Sequence, residues 1–534
     1  MKGKGNRPRT VAACVVALLL GSCGGGGGGG SDTVAPPPPP PPPPVVSDGA
    51  VRISAPSTFS ANCSGATETG TLYLNAEVEP FVAINPRNAN HLIAVWQQNR
   101  WSNGSSQGVM TAASFDAGAT WAIISAPLSR CTGGNAGNGG DFVRATDPWV
   151  AISPDGTAYQ MALGSSGNSF VAGSRNAMLV SRSTDGGRSW GSATALISDG
   201  AGFFNDKNTI TADPGDSRFA YATWDRLIAG DAGGPTWFAR TTDGGLSWEP
   251  ARNIYDPGTP NQTIGNVIAV LPNGTLILLF NQIDGAGTAT TSSLNVIRSA
   301  DKGATWSAPV RISSFTPLGA RDPDTGTNIR DGAIIPQIAA APNGDVFVAW
   351  QDARAGGGQR DGILLSRSRD GGTTWSTPSR VNADPSVQAF TPTINVRADG
   401  TIGISYFDLR SNTPDPATLP TDYWLARSSD GVTWQESRVS ATFDLAFAPN
   451  AGGLFLGDYQ ALVSAGTTFT SVFVRTNADL ANRTDVFSRS LDLPAGAASK
   501  RVYLAEPALP IAGTAEIARN IERNLQRRRI APER

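Results

Sequence analysis

The sequence predicts an all-β protein in which one four-stranded antiparallel sheet is repeated around an axis. Three observations carry that expectation. A box of Ser or Thr, any residue, Asp, any residue, Gly, two residues and Trp ends at Trp121, Trp190, Trp248, Trp306 and Trp375, and a copy one residue shorter ends at Trp434. The intervals between these tryptophans are 69, 58, 58, 69 and 59 residues, the near-constant period of a repeat architecture. The 534 residues include 61 Gly and 38 Pro but only 16% charged residues, which suits turn-rich β structure and disfavours helical bundles.

Residues 1–23 read as a targeting segment. Lys2, Lys4, Arg7 and Arg9 precede an apolar run, Val11 to Leu20, that is too short to span a bilayer. The run ends in Leu20-Gly21-Ser22-Cys23, which resembles the lipobox of bacterial lipoproteins. The resemblance implies cleavage before Cys23, acylation of its thiol and, with Gly24 following, an outer-membrane or cell-surface location. An ordinary secretory signal is the alternative. Residues 24–48 are a linker: a glycine run, then prolines 36–44 as a polyproline spacer of about 28 Å at ~3.1 Å per residue. Loss of the four basic residues takes the net charge from −2 to −6, so no nucleic-acid partner is expected. The single histidine, His91, would have to serve any Ser-His-Asp triad or His-based zinc site. It falls in a strand-to-strand turn and reads as an exposed turn residue.

Residues 49–494 form the repeat domain. In each box the short Ser and Asp side chains accept hydrogen bonds from turn N–H groups, Gly supplies a positive φ, and Trp folds back as an apolar plug. Around each box lie four short strands. An apolar strand follows a Pro, as after Glu79-Pro80 and Asp147-Pro148; a second follows a turn, as Val346–Trp350 follows Pro342–Asp345. A third enters the box, as Ile363–Arg367 does, and a fourth leaves it, as Val310–Ser313 does. Such sheets repeated around an axis make a β-propeller. The last repeat (Tyr459–Val463, Thr470–Val474, Val486–Ser490) lacks a box and a fourth strand. The orphan Val51-Arg52-Ile53-Ser54 matches Val310–Ser313, so the N-terminal strand is expected to complete the last blade and remove a sheet edge. That gives seven blades, with six as the alternative. Cys63 and Cys131 then fall in loops of neighbouring blades on one face, and export permits a disulfide between them.

The six boxes resemble those of the sialidase-like Asp-box (BNR repeat) β-propellers, over roughly residues 51–492. The resemblance implies boxes on the face opposite the active site, a glycan partner and an exo-alpha-sialidase-like glycoside hydrolase. In that family three Arg grip the substrate carboxylate, a Tyr paired with a Glu is the nucleophile and an Asp is acid/base, an exception to the two-carboxylate rule. The Arg-Ile-Pro motif of the family is absent, and Glu79-Pro80-Phe81 stands where it would be sought. The alternative is therefore a non-catalytic glycan- or protein-binding propeller.

Antiparallel order puts the second-to-third loops and the links between blades on the face away from the boxes, where Arg and carboxylates gather. From these, Arg144, Arg354 and Arg410 are candidate anion clamps, because guanidinium forks bind carboxylates bidentately. Asp147, Asp352 and Asp408 are candidate acids or bases, and Tyr459 a candidate nucleophile. Asp-x-Arg recurs at Asp352–Arg354 and Asp408–Arg410, which equally fits a blade-by-blade structural ion pair. Asp322-Pro-Asp324-Thr-Gly326 alternates oxygen ligands and is a weak Ca²⁺ candidate beside its reading as a polar turn; no other cofactor is expected. Residues 495–534 are a basic tail. Ile517, Ile521 and Leu525 at i, i+4 and i+8 predict a helix there, read as solvated or as touching lipid or a partner. The propeller is expected to be a monomer.

Overall fold

A computed structural model describes residues 48–230, 232–493 and 514–531; the lipobox Cys23, the Gly/Pro linker up to Ser47 and residues 494–513 lie outside it. Strand pairing resolves into four-stranded antiparallel sheets in chain order. The first is Val78–Asn85, Asn88–Trp101, Ser106–Ser114 and Ala122–Ile124; the second is Arg144–Ile152, Ala158–Ser166, Arg175–Ser183 and Thr194–Asp199. A single residue pair, Ser106 with Ala145, joins these two into one sheet. The third runs from Phe203 to Tyr255, the fourth from Gln262 to Ser314, the fifth from Gln337 to Arg380 and the sixth from Ala389 to Arg438. The last comprises Ala461–Ala465, Thr468–Thr476, Thr484–Asp492 and Val51–Arg52. The innermost strand of each sheet contributes to one axial channel of about 370 Å³, from Phe81–Ile84 round to Leu462–Val463.

The chain closes the ring with its two ends. Val51 lies opposite Ser488 and Arg52 opposite Phe487. The Ile53 N–H donates to the Val486 carbonyl at 2.8 Å, and Arg52 pairs with Asp485 at 2.6 Å. Closure leaves no inner strand without neighbours on both sides of the ring, which is how propellers avoid open sheet edges. Cys63 and Cys131 are joined as a disulfide.

The boxes lock each sheet to the one before it. In the fourth sheet the Ser299 hydroxyl accepts from the Gly303 N–H at 2.7 Å, and Asp301 accepts from the N–H and hydroxyl of Thr305 at 2.9 and 2.6 Å. The same hydroxyl–Asp contact recurs at Thr120, Ser189, Ser247 and Thr374. Gly303 is required twice over: its φ is +84°, and a Cβ there would stand 2.6 Å from the Phe238 ring of the third sheet. Trp306 of the same box packs edge-on against that ring at 5.5 Å. His91 corrects an expectation. It is buried, not exposed, because its ring bridges Asn85 and the Gly186 carbonyl of the next box and stacks on Phe115.

The C-terminal helix, Thr514–Arg527, is not solvated. Ile517 and Ile521 are buried in the apolar cluster of the fourth and fifth sheets with Phe315, Leu318, Ile334 and Ala353. Burying each isoleucine contributes about 1.5–3 kcal/mol, enough to dock a helix whose other face is charged. No helix among the described residues is long and apolar enough to cross a membrane.

Candidate functional site

The face away from the boxes is built by a repeated backbone device. Strand register slips by a bulge between Val78 and Phe81, Thr146 and Trp149, Asp206 and Thr209, Ile264 and Val267, and Phe390 and Thr393. Within these bulges Glu79, Asp147, Lys207 and Thr391 adopt left-handed backbone, with φ of 52°, 53°, 49° and 51°. Such conformations cost on the order of 1 kcal/mol each for non-glycine residues and persist where the surroundings over-determine them. Here they gather charge at the axis. Beneath that charge an aromatic floor separates it from the apolar channel: Phe81 stacks on Trp149 at 3.6 Å, and Tyr459 meets Trp149 edge-on at 5.2 Å.

Lys207 is the hub. Its Nζ lies 3.4 Å from Glu79, 3.3 Å from Asp147 and 2.7 Å from Asp458. Arg330 grips Asp458 with Nε and Nη2 at 3.1 and 2.7 Å. Gln97 donates to Glu79 and accepts from Arg100, whose guanidinium lies over Phe455 as Arg330 does. All these groups are buried. Burial pushes Glu79 up to about 8, with Lys207 opposing and Asp147 and Asp458 adding to the rise. Burial acts the same way on Asp147, but Lys207, a hydrogen bond with Glu79 and Arg100 together outweigh it, and the carboxyl is held below its ordinary value. Asp458 is likewise held well below, because Arg330 and Lys207 together overcome its burial. Lys207 is raised: its four carboxylate neighbours outweigh the burial that would lower it. The mouth thus sets a carboxyl raised to about 8 beside carboxyls held below their ordinary range, the kind of split that acid/base chemistry uses.

Asp147, a candidate acid or base, belongs to this cluster. The other candidates are engaged by the chain itself. Asp352 is a structural ion-pair partner: it holds Arg354 at 2.7 Å and accepts from the N–H and hydroxyl of Thr316 and from Trp350. Arg354 continues to Ser313 and the Ser314 carbonyl of the preceding sheet, so the pair ties blade to blade rather than clamping an anion. Asp408 and Arg410 form the same kind of pair at 2.5 Å, with Arg410 also on Glu436 and stacked over Trp424. Arg144 is fully engaged by Glu68, Asn103, the Gly104 and Thr69 carbonyls and the Trp101 ring. Tyr459 donates its hydroxyl to the Pro148 carbonyl at 3.1 Å, and burial beside Glu79 and Asp147 raises its pKa well above 10; its ring is part of the aromatic floor. Asp322 accepts from Asp324 N–H and the Thr325 hydroxyl, and Asp324 accepts from Asn412, the hydrogen bonds of a polar turn. No group of three or more potential metal ligands occurs among the described residues.

Lys207, Asp458, Arg330 and Glu79 were visible in the sequence only as charged link residues. The signal that finds Glu79 and Lys207 is repeat alignment: Glu79-Pro80-Phe81, Asp147-Pro148-Trp149 and Lys207-Asn208-Thr209 fall at matching places in successive first strands.

The C-terminal segment covers this cluster. Arg528 inserts between Asp206, at 2.6 Å, and Asp225, and donates to Gln262 at 3.0 Å. Ser169 exchanges hydrogen bonds with Ile530, and Asn103 donates to the Ala531 carbonyl. The cavity left between this segment and Asp147, Asp206, Lys207 and Arg330 measures about 20 Å³, room for a single water.

Residues 235–335 match the family model of the BNR repeat-like domain. Six boxes and antiparallel sheets around one axis make the fold a β-propeller. Solved structures to which the chain is similar include the following three. An alpha-L-arabinofuranosidase of Fusarium graminearum in complex with an iminosugar inhibitor is 12% identical, with 83% of this chain and 97% of that chain covered and a TM-score of 0.43. An alpha-L-arabinanase of Penicillium chrysogenum complexed with arabinobiose is 13% identical, with 82% and 97% covered and a TM-score of 0.43. A Hadza microbial sialidase is 15% identical, with 75% and 76% covered and a TM-score of 0.42.

Proposed function

We propose that this protein is a glycan-directed binding propeller, exported and tethered through an acylated Cys23, and that in the closed form described it is not a sialidase. The glycan direction is supported by the BNR repeat-like match over residues 235–335 and by the resemblance of the six boxes to those of sialidase-like propellers. One observation carries the absence of sialidase chemistry. Arg144, Arg354, Arg410 and Arg330 are each committed to a carboxylate of the chain itself, which leaves none of them to grip the carboxylate of a sialic acid. A 20 Å³ cavity also admits no sugar ring. A second reading, a glycosidase active only when the mouth is open, is favoured by the opposed protonation of Glu79 and Asp147 at the axis.

The full mature chain should leave a panel of fluorogenic glycosides, a sialoside and an arabinofuranoside among them, intact while retaining ligands on a glycan array. Turnover that disappears in Glu79→Gln would establish the second reading instead, and an empty array would remove the glycan assignment. Labelled palmitate incorporated by the wild type and lost in Cys23→Ala tests the anchor.

A further inference from the structure

Asp206 and Asp225 sit together at the rim of the mouth, and both are buried. Among the described residues the cation ion-paired to each is Arg528, supplied by the tail and itself buried. Its three guanidinium nitrogens reach three different oxygen acceptors: Asp206, Asp225 and Gln262. Two carboxylates and an amide oxygen placed around one planar fork are the complement of a guanidinium. Burying both carboxylates without a cation would be costly, so the socket calls for an occupant.

The occupant is docked by separable contacts. Upstream, the helix is held by Ile517 and Ile521, by Glu522, which accepts from Gly287 N–H and the Thr290 hydroxyl at 2.9 Å, and by Glu516 with Arg321 at 3.0 Å. One neighbour is poorly satisfied. Among the described residues, two guanidinium nitrogens of Arg527 are buried without a hydrogen-bond partner, as is Nη2 of Arg528, and Arg330 lies close enough to repel Arg527. A segment that seats one arginine in an ionic socket and strands the next is docked but not optimised for permanence.

We propose that the mouth of the propeller is a binding site for an arginine-bearing peptide segment, that Gln526–Ile530 fills it in cis, and that the C-terminal helix is a displaceable lid over it. The partner this fits is a basic, partly helical chain segment, the tail of a second copy being the simplest example. The proposal rests on the mouth as a binding site and not on the glycan assignment, which the array decides separately.

The test uses the full chain and a fluorescently labelled peptide with the sequence of residues 514–534. Ile521→Asp removes the docking of the helix and should free the socket. That variant should bind the peptide at least ~100-fold more tightly than the wild type, whose site is filled by a tethered competitor. A peptide carrying Arg528→Ala should bind it at least tenfold more weakly, and Asp206→Asn with Asp225→Asn in the receptor should abolish binding. Equal binding of the two peptides, or no binding by a variant whose circular dichroism matches the wild type, overturns the proposal. Should Ile521→Asp fail to fold, Arg528→Ala decides. Millimolar methylguanidinium should raise the melting temperature of Arg528→Ala and leave the wild type unchanged; no rise overturns the proposal.

Discussion

Replacing Lys207 with Met removes the cation at the centre of the mouth while keeping most of its volume. Three carboxyl groups lie within 3.4 Å of its Nζ, and all are buried. Removing one partner of a buried ionic cluster costs about 3–5 kcal/mol, because the remaining charges are left unscreened. The pH dependence follows from the signs. Lys207 is raised above its unfolded value, so its own contribution is complete throughout the neutral range and is lost only above pH ~10. The carboxyls behave otherwise. Glu79, at about 8 when folded, stabilises fully below pH ~4.3 and loses that contribution as pH rises through 8. Without Lys207, Asp147 and Asp458 shift the same way, so protonation relieves the variant at acid pH. Urea unfolding followed by tryptophan fluorescence should therefore show a deficit of about 3–5 kcal/mol at pH 8 that shrinks by at least ~1 kcal/mol at pH 5.5. A deficit that is independent of pH, or larger at pH 5.5, refutes the hub assignment.

Three further outcomes follow. Arg354→Ala should lower stability by about 2 kcal/mol, through loss of charged hydrogen bonds to Asp352 and Ser314, and leave glycan-array binding unchanged; loss of binding in a chain of unaltered melting temperature would restore Arg354 to the site. Reducing the Cys63–Cys131 bond, which closes a separation of 68 residues, should cost roughly 4 kcal/mol by loop entropy, read as a lower urea midpoint in dithiothreitol. Hydroxyl donors hold Asp185, Asp243 and Asp370 at about 2, so the boxes contribute stability above pH ~3.9 that is lost as pH falls through 2. Ser189→Ala, Ser247→Ala and Thr374→Val combined should flatten the acid side of the melting-temperature profile.

The ring was legible because its determinants are local and repeated. Each box carries its own turn chemistry, and Val51–Ser54 copies the residue pattern of Val310–Ser313, so a strand could be paired with Val486–Ser490 across the whole chain. The mouth was legible only in composition. Asp352–Arg354 and Asp147–Lys207 look alike as charged residues near strand ends, and what separates them is the bulge that turns Asp147 and Lys207 inward. The pairing of Arg528 with Asp206 spans 322 residues and belongs to no repeat, so nothing in the periodicity points to it. The apolar spacing of Ile517 and Ile521 announced a helix and a face to bury, but not the surface that buries it.

Hydrogen–deuterium exchange of the intact chain tests most directly whether this propeller is closed by its own C-terminal segment. Amides of residues 518–527 should exchange as slowly as those of the inner strand Arg144–Ile152, and Arg528→Ala should speed the exchange of residues 526–530 before that of the helix. Exchange of the whole segment within seconds, at the rate of an unstructured peptide, would contradict the closed mouth and with it the ionic assignments built upon it.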